Sequence, residues 1–490
     1  MRRSDRTLVL AALALVACSG GAPDGGGPNG GGPNGGALNG GAANGGGAGG
    51  QPNGNPLEQT PTFTAEERAT LASLSPKSLP LPGPDLSNRF ADDARAASLG
   101  QKLFFERRFA GPLLDGDNDG TPSTLGVKRE TGKVACSDCH LPDAGFSDNR
   151  TLGKQVSLGA GWGARRAPSL LDVGQASLLM WDGRHDTLYN QVFGPIESPL
   201  EMNSSRLYVA QQIFALYRTE YETIFGALPD FSDAARFPPL SASATGCTPS
   251  TFAPTTTCNG TTHGQPGDGA EYDTLAVADQ QAVTQVVVNV GKAIGAYERL
   301  LPCGPGRFDQ WMGGDADALT ASEQRGAQLF AGRGKCASCH SGPFLSDQKF
   351  HNVGLKPTVV AVIVLDQDDH GAAKGLSAAI ADPLNVRGPF SDGDDGRLPT
   401  AVEGSMSGAF RTPTLRCVKQ RPTFMHTGQL GTLDQVVAFF SRGGDTFGYI
   451  GTSEIAALDL TAQDQQDLVA FLGTLEGAGP DARLLSPATH

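Results

Sequence analysis

The sequence has no run of lysine and arginine beyond its first six residues, and 51 acidic residues outnumber 38 basic ones. The formal charge of −13 argues against a nucleic-acid partner, because phosphate backbones are bound through clustered positive charge. The apolar stretch near the N-terminus is too short to span a membrane, and no other segment is long and apolar enough to do so. Hydrophobic residues make up only 39%, yet a mean hydropathy of −0.22 and 7% aromatic residues still allow packed cores.

Glycine, in contrast, is abundant: the chain of 490 residues contains 66 glycines and 33 prolines. Of these glycines, 18 lie within residues 19–56, a tract with no side chains able to form a core. We therefore predict a flexible tether over residues 18–60. The length of the remainder predicts two packed units, and its glycine content favours a loop-rich fold.

The N-terminus has the form of an export signal, with Arg2 and Arg3 ahead of an apolar stretch over residues 8–17. Residues 15–18 (LVAC) resemble the lipobox of bacterial lipoproteins, in which the cysteine is lipidated and becomes the mature N-terminus. We expect residues 1–17 to be a signal peptide and Cys18 to anchor the protein to a membrane of the bacterial cell envelope. An ordinary secretory signal with an unrelated cysteine is the alternative.

Two C-x-x-C-H motifs account for four of the nine cysteines. In each, the thiols attach a c-type haem and the adjacent histidine is placed to bind iron. A zinc site would require the two pairs to converge across nearly 200 residues, and it would not explain a histidine at both fifth positions. We therefore predict two covalently bound c-type haems, attached through Cys136, Cys139 and His140 and through Cys336, Cys339 and His340.

Four further cysteines lie outside these motifs. In an oxidising compartment, Cys247 and Cys258 fit a disulfide within a Thr- and Pro-rich loop. Cys303 and Cys417 either pair or stay free.

A weak internal repeat accompanies the motifs, because GQKLF (100–104) precedes the first and GAQLF (326–330) precedes the second. The predicted fold is all-α: two tandem, loop-rich cytochrome c-like domains at 61–304 and 305–482, followed by a tail at 483–490. Further predictions are closing helices at 283–301 and 462–475, surface insertions at about 111–133 and 241–272, and an Asx-rich turn rather than a calcium loop at 115–120.

Several longer blocks are similar to the bacterial dihaem cytochrome c peroxidase family, which includes the methylamine-utilisation dihaem enzyme. They are LGQKLFFERRF (99–109), WDGRHDTLYNQVFGPIESPLEM (181–202), FDQWMGGD (308–315), GAFRTPTLR (408–416) and MHTGQLGTLDQVVAFFSRGG (425–444). The resemblance spans about residues 85–480. It implies that the first haem reduces hydrogen peroxide with electrons delivered through the second. It also implies that Glu201 is the acid–base group, Gln191 its polar neighbour and Trp181 an aromatic residue between the haems.

The sequence departs from the family pattern at several positions. Residues 156–168 contain no histidine, so we expect the first haem to be five-coordinate and open in the oxidised protein. Arg166 and Arg421 occupy positions where oxygen ligands of an interdomain calcium ion are expected, which argues against calcium there. Phe440 occupies the position of the second haem's sixth ligand, so Met425 or another residue caps this haem, or its iron is five-coordinate.

The remaining histidines receive smaller roles. We expect His426 to line the second haem or the interface and His351 to lie near the second haem edge. Surface positions are expected for His185, His263, His370 and His490.

Three functions follow from these features. The first is a periplasm-facing peroxidase that takes electrons from a small cytochrome c or cupredoxin, for which the net charge of −13 suits a basic donor. The second uses high-valent iron generated by peroxide to oxidise a protein or organic substrate, as in the methylamine enzyme. The third, a lipid-tethered electron carrier, gives no reason for Gln191 and Glu201.

Overall fold

The computed structural model describes residues 59–152, 156–247, 262–358 and 369–488, together with the backbone of residues 359–360 and 363–364. Its helices are α1 (Ala65–Leu74), α2 (Ala94–Phe104), α3 (Cys136–Cys139), α4 (Phe193–Glu197), α5 (Arg206–Leu216), α6 (Arg218–Phe225), α7 (Val277–Glu298), α8 (Arg307–Met312), α9 (Ala321–Ala331), α10 (Ala372–Ala381), α11 (Leu433–Ser441) and α12 (Ala462–Leu472). None of the helices in the described part of the chain is long and apolar enough to cross a membrane.

Strands contribute very little to the described residues, which are helix-rich as predicted. Strand β1 (Phe350–His351) pairs antiparallel with β4 (Phe410–Arg411), and β2 (Val359–Val360) pairs antiparallel with β3 (Ile363–Val364). Each strand is only two residues long, so the helices and long loops carry the architecture.

The first hydrophobic core is built where α2 crosses α7. Gly100 makes the crossing close, because a Cβ atom there would lie 1.9 Å from the carbonyl oxygen of Ala293. Leu99 and Leu103 of α2 pack in the same core as Val287 of α7. Helix α7 contains six valines, whose intrinsic helix propensity is low. The helix is stabilised instead by packing, because nearly every residue of its second half is buried. The predicted helix at 283–301 is confirmed, with its observed ends at Val277 and Glu298.

The second core repeats this arrangement with α9 and α12. Gly326 occupies the place that Gly100 has in the first core, because a Cβ atom there would lie 2.0 Å from the carbonyl oxygen of Asp467. Phe471 of α12 packs edge-on against Phe308 of α8 and also contacts Phe330 of α9. The weak GQKLF and GAQLF repeat therefore places a glycine at a helix crossing in each half.

Helices of the second core begin with well-formed N-terminal caps. In α9 and α12 a threonine accepts a backbone hydrogen bond from the third helical residue, whose carboxylate bonds back to the threonine N–H: Thr320 with Glu323, and Thr461 with Asp464. The predicted closing helix at 462–475 is confirmed as α12 followed by a single 3-10 turn. Helix α1, which lies within the 61–304 range predicted for the first domain, packs in this second core through Leu71 and Leu74.

The segment at 111–133 forms turns rather than helices or strands. Asp115 and Asp119 each accept a backbone N–H from two residues further on, which is the Asx-turn pattern. The side chain of Asn118 is buried and donates to the carbonyl oxygen of Gly159. The Asx-rich turn is thus confirmed, and the hydrogen bond from Asn118 to Gly159 holds it against the rest of the protein.

Cys303 and Cys417 form a disulfide with Cα atoms 5.9 Å apart, which settles the alternative that the sequence left open. Both are buried in the first core, although Cys417 comes from the C-terminal half of the chain. The other proposed pair involves Cys258, which lies outside the described residues and remains a prediction.

We expect the double replacement Cys303→Ser and Cys417→Ser to lower the free energy of unfolding by about 2–5 kcal/mol, because the disulfide closes a 114-residue separation. Urea titration monitored by circular dichroism measures this loss. Reductant should lower the unfolding midpoint of the wild type more than that of the double variant, which keeps only the predicted Cys247–Cys258 pair. Equal midpoints for the two proteins in oxidising buffer would show that the disulfide contributes nothing.

Candidate haem and active site

The first C-x-x-C-H motif begins with the short helix α3, a single turn that starts at Cys136 and ends at Cys139. Asp138 between them accepts the backbone N–H of Ala135 and forms an ion pair with Arg107. The Nδ1 atom of His140 lies 3.1 Å from the carbonyl oxygen of Phe146, and burial lowers the pKa of this histidine. A neutral ring with Nδ1 bonded to the backbone leaves Nε2 free, as an iron ligand requires.

The second motif has the same local geometry. The Nδ1 atom of His340 lies 2.8 Å from the carbonyl oxygen of Leu345, and burial lowers the pKa of this histidine to about 4. Phe146 and Leu345, the two backbone acceptors, both have positive φ angles, +55° and +48°. The backbone is bent in the same way in each motif to bring its carbonyl oxygen to the histidine.

A cavity of 590 Å³ adjoins the second motif and is lined by Cys336, Cys339 and His340. Its other walls are largely apolar and include Phe344, Leu415, Val437, Leu468 and Leu472. An apolar cavity this large between two thiols and a neutral histidine fits a haem.

Three arginines in the wall of this cavity support that fit. Arg166, Arg411 and Arg421 line it, and burial lowers the pKa of each guanidinium to about 10. The Nε atoms of Arg166 and Arg421 are buried without a hydrogen-bond partner. Buried cations that lack full pairing require an anion, and a haem carries two propionates.

Glu201 lies beside the first motif. Burial raises the pKa of the Cys139 thiol to about 12; Arg150 lowers it, while the charges of Asp148 and Glu201 raise it further. Burial also raises the pKa of Glu201 itself, against the opposing charge of Arg184. The backbone of Glu201 is fixed, since its carbonyl oxygen accepts the N–H of Ala160 at 2.7 Å. A raised pKa is what a carboxyl group needs to exchange protons near neutral pH.

Gln191 reaches a partner that the sequence did not predict. Its Nε2 atom lies 3.5 Å from Oε1 of Glu298, at the end of α7. Burial raises the pKa of Glu298 to about 8, and its charge in turn raises the pKa of Cys136. One carboxyl therefore acts electrostatically on each cysteine of the first motif, Glu298 on Cys136 and Glu201 on Cys139. The one sequence signal for Glu298 is a carboxylate at the end of the largely apolar second half of α7.

Trp181 lines the cavity beside the second motif, which is called the second cavity below. A chain of polar contacts links it to the first motif. Its Nε1 donates to the carbonyl oxygen of Arg166 at 2.8 Å, and Arg166 Nη1 donates to the carbonyl oxygen of Asp148 at 3.0 Å. Arg150 contacts both Asp148 at 3.2 Å and the Cys139 sulfur at 3.7 Å. Trp181 therefore lines the cavity of the second motif and reaches the first motif through Arg166, Asp148 and Arg150.

Met425 and Phe440 both line the second cavity, as their sequence positions predicted. Met425 has a φ of +68°, a strained conformation for a residue with a side chain. Among the described residues of 156–168, Ala160 and Gly161 bond to the backbone of residues 200–201, so this segment packs against Glu201.

The histidine predictions have mixed outcomes. His426 lines the second cavity and stacks on Phe410 with ring centroids 3.6 Å apart, and His351 lines the same cavity. His370 is exposed, and His263 is half-buried beside Glu271. The surface prediction for His185 is wrong: it is largely buried, and burial lowers its pKa to about 3. It fills space beside Gly194. His490 lies outside the described residues.

Comparison with known proteins agrees with this geometry. A family model described as di-haem cytochrome c peroxidase matches residues 94–244. The methylamine utilization protein MauG of Methylorubrum extorquens is 28% identical over 381 residues, covering 77% of each chain. Cytochrome-c peroxidase IdrP1 of Denitromonas iodatirespirans is 27% identical over 415 residues, covering 84% of this chain and 87% of that protein.

Two solved structures share the fold. A MauG-like protein associated with microbial copper homeostasis has a TM-score of 0.51 and 24% identity, covering 84% of this chain and 96% of its own. The diheme peroxidase BthA of Burkholderia thailandensis has a TM-score of 0.54 and 21% identity, covering 83% and 95%. The relatives show that this protein is a peroxidase-like oxidoreductase. The chain is thus similar, over most of its length, to dihaem cytochrome c peroxidases and MauG proteins.

Proposed function

We propose that the protein reduces hydrogen peroxide at the first haem, with electrons that enter through the second. The observation that carries this proposal is the half-buried Glu201 carboxyl, whose own pKa is raised and whose charge acts on Cys139 of the first motif. A protein that only carries electrons gains nothing from an acid–base group at that place. The overall reaction breaks the O–O bond of hydrogen peroxide, takes up two electrons and two protons, and yields two molecules of water.

Cys136, Cys139 and His140 would hold the first haem, and Cys336, Cys339 and His340 the second. A haem at the first position supplies the redox-active iron at which peroxide binds. Glu201 would accept a proton from one oxygen of peroxide and return it to the other oxygen, which leaves as water. Gln191 presents an amide that can hydrogen-bond peroxide and hold it beside Glu201. Residues 156–168 offer no histidine, so the first site stays open in the oxidised protein.

Electrons reach the first site along the contacts of Trp181, Arg166, Asp148 and Arg150 in this proposal. Met425 would be able to bind the iron of the second haem, since it is a sulfur-bearing side chain in the cavity wall and Phe440 cannot bind iron. The donor is a small cytochrome c or cupredoxin, and Arg166 and Arg421 take the place of a calcium ion. Through a lipid on Cys18 and the tether at 18–60, the protein is held at the periplasmic face of a bacterial membrane.

A second candidate function is favoured by Phe440 in the wall of the second cavity. Without the usual ligand at that position, the second site is less suited to accept electrons from a donor. The oxidising power gained from peroxide would then be used on a protein or organic substrate, which is the second function that the resemblance to the methylamine enzyme implies.

Mixing the oxidised holoprotein with hydrogen peroxide, with and without a reduced cytochrome c, distinguishes these functions. We expect rapid oxidation of the cytochrome and, before mixing, an electron paramagnetic resonance signal of an open first haem. A long-lived spectral change without donor oxidation would favour the second candidate. No reaction with peroxide would overturn both, and a two-histidine low-spin signal from the first haem would contradict the open site.

A further inference from the structure

Glu298 ends the long buried helix α7 on the face that supports Gln191. Two glycines of α7 bring the chain before Gln191 into close contact with the helix. A Cβ atom at Gly291 would lie 2.2 Å from the carbonyl oxygen of Tyr189, and one at Gly295 would lie 2.8 Å from Cβ of Leu188. Glu298 follows Gly295 by three residues and so continues the same helix face. Its contact with Gln191 therefore continues the close packing between α7 and the segment that precedes Gln191.

The backbone ahead of Gln191 is held independently of Glu298. Thr187 and Asn190 bond reciprocally, with each side chain accepting the backbone N–H of the other residue. The N–H of Gln191 donates to the carbonyl oxygen of Thr187 at 3.3 Å. The position of the Gln191 backbone is thus fixed, and the orientation of its side-chain amide depends on what the amide contacts.

The surroundings of Glu298 indicate a neutral carboxyl. The residue is 4% exposed, and its Oε2 atom is buried with no hydrogen-bond partner. Its Oε1 atom accepts a single long bond from Gln191. No cation forms an ion pair with it among the residues that the structure describes. A buried carboxylate with so little compensation is unfavourable, whereas a protonated acid with one accepting oxygen is not.

We propose that Glu298 is a positioning residue for Gln191: as a neutral acid it accepts one N–H of the Gln191 amide and fixes the orientation of that amide at the first haem site. This role rests on the proposed peroxide chemistry, in which Gln191 hydrogen-bonds the substrate. The free hydroxyl of Glu298 also gives the site a buried donor that lacks an acceptor in the protein. Together with Glu201 it provides a second carboxyl close to the first motif.

The test uses the holoprotein and the variants Glu298→Gln, Glu298→Leu, Gln191→Leu and Glu298→Leu with Gln191→Leu. Asp279→Asn serves as a matched control, because Asp279 is a buried carboxyl in α7 that pairs with Arg236. Glutamine at 298 retains a neutral oxygen acceptor and should preserve the rate of the peroxide reaction. Leucine removes the acceptor and should slow the reaction by about three- to tenfold, the effect of one hydrogen bond. Glu298→Leu should not slow the reaction further when residue 191 is already leucine.

Two readouts do not depend on turnover. The infrared difference between wild type and Glu298→Gln should contain the carbonyl band of a protonated carboxylic acid that shifts in deuterated water; carboxylate bands instead would overturn the proposal. Cyanide binding to the oxidised protein should show the same non-additivity between positions 191 and 298. Additive effects would overturn the positioning role even if peroxide is reduced. If the wild type does not react with peroxide but cyanide binding is non-additive, the proposed function is overturned and the positioning role of Glu298 stands.

Discussion

Glu201→Gln should slow the reaction of the oxidised protein with hydrogen peroxide by about 10²–10⁴-fold, the usual effect of losing a general acid–base group. Glutamine has nearly the same size and keeps the backbone bond from Ala160, so packing is preserved. It cannot take a proton from peroxide or return one to the departing oxygen. Stopped-flow absorbance of the holoprotein after mixing with peroxide measures the rate directly.

Glu197→Gln is the control for this variant. Glu197 lies four residues earlier and its carboxylate pairs with Arg206, away from the first motif. Its loss should change the rate by no more than a small factor. If Glu201→Gln reacts as fast as Glu197→Gln, Glu201 is not the acid–base group.

The pH dependence provides a further check on Glu201. The group must be ionised to accept a proton, and burial raises its pKa above that of an exposed glutamate. The rate in the wild type should therefore rise with pH through this raised pKa and level off above it. The glutamine variant should lack this rise.

The parts of the site that depend on local sequence could be predicted. The spacing of Cys136, Cys139 and His140 requires no knowledge of the fold, and the second motif repeats it. Gly100 and Gly326 were recognisable as equivalent because four of five residues around them are shared or similar. The geometry of the two motifs is determined by contacts within a few residues along the chain, such as those of His140 with Phe146 and of His340 with Leu345.

Glu298 could not be predicted because its role arises from packing between distant segments. It meets Gln191 across 107 positions, through a helix crossing that depends on Gly291 and Gly295. In sequence, a glutamate at the end of an apolar helix is most simply a solvated end residue. The burial that makes it neutral exists only once the chain has folded.

A longer repeat also became evident only in the structure. Residues 166–188 and 411–433 align without gaps, and equivalent positions share left-handed backbone angles: Met180 and Met425 at +64° and +68°, Asp172 and Cys417 at +59° and +51°. Trp181 corresponds to His426 in this alignment.

The contacts between these two repeats are reciprocal. The N–H of Arg166 donates to the carbonyl oxygen of His426 at 2.9 Å, and the N–H of Arg411 donates to that of Trp181 at 2.8 Å. Such exchange is typical of related units that pack through the same surface. The repeat explains why residues of both halves line one cavity, a feature that low sequence similarity conceals.

Replacing both Cys336 and Cys339 with alanine should leave one covalent haem per chain and unfold much of the second core. The cavity beside these cysteines measures 590 Å³ and its walls are largely apolar, so without the haem those walls would lose their packing partner and face solvent. The haem therefore supplies a large part of what the second core packs against.

Haem staining of a denaturing gel counts the covalent groups, and circular dichroism during heating measures the folded fraction. Ser338→Ala is the matched control, because Ser338 lies between the two cysteines, is exposed and bonds only locally. It should retain two haems and a wild-type melting curve. A double alanine variant that loses its second haem and still melts like the wild type would show that the cavity collapses at little cost. In that case the packing of α9 against α12, rather than the haem, would hold the second core together.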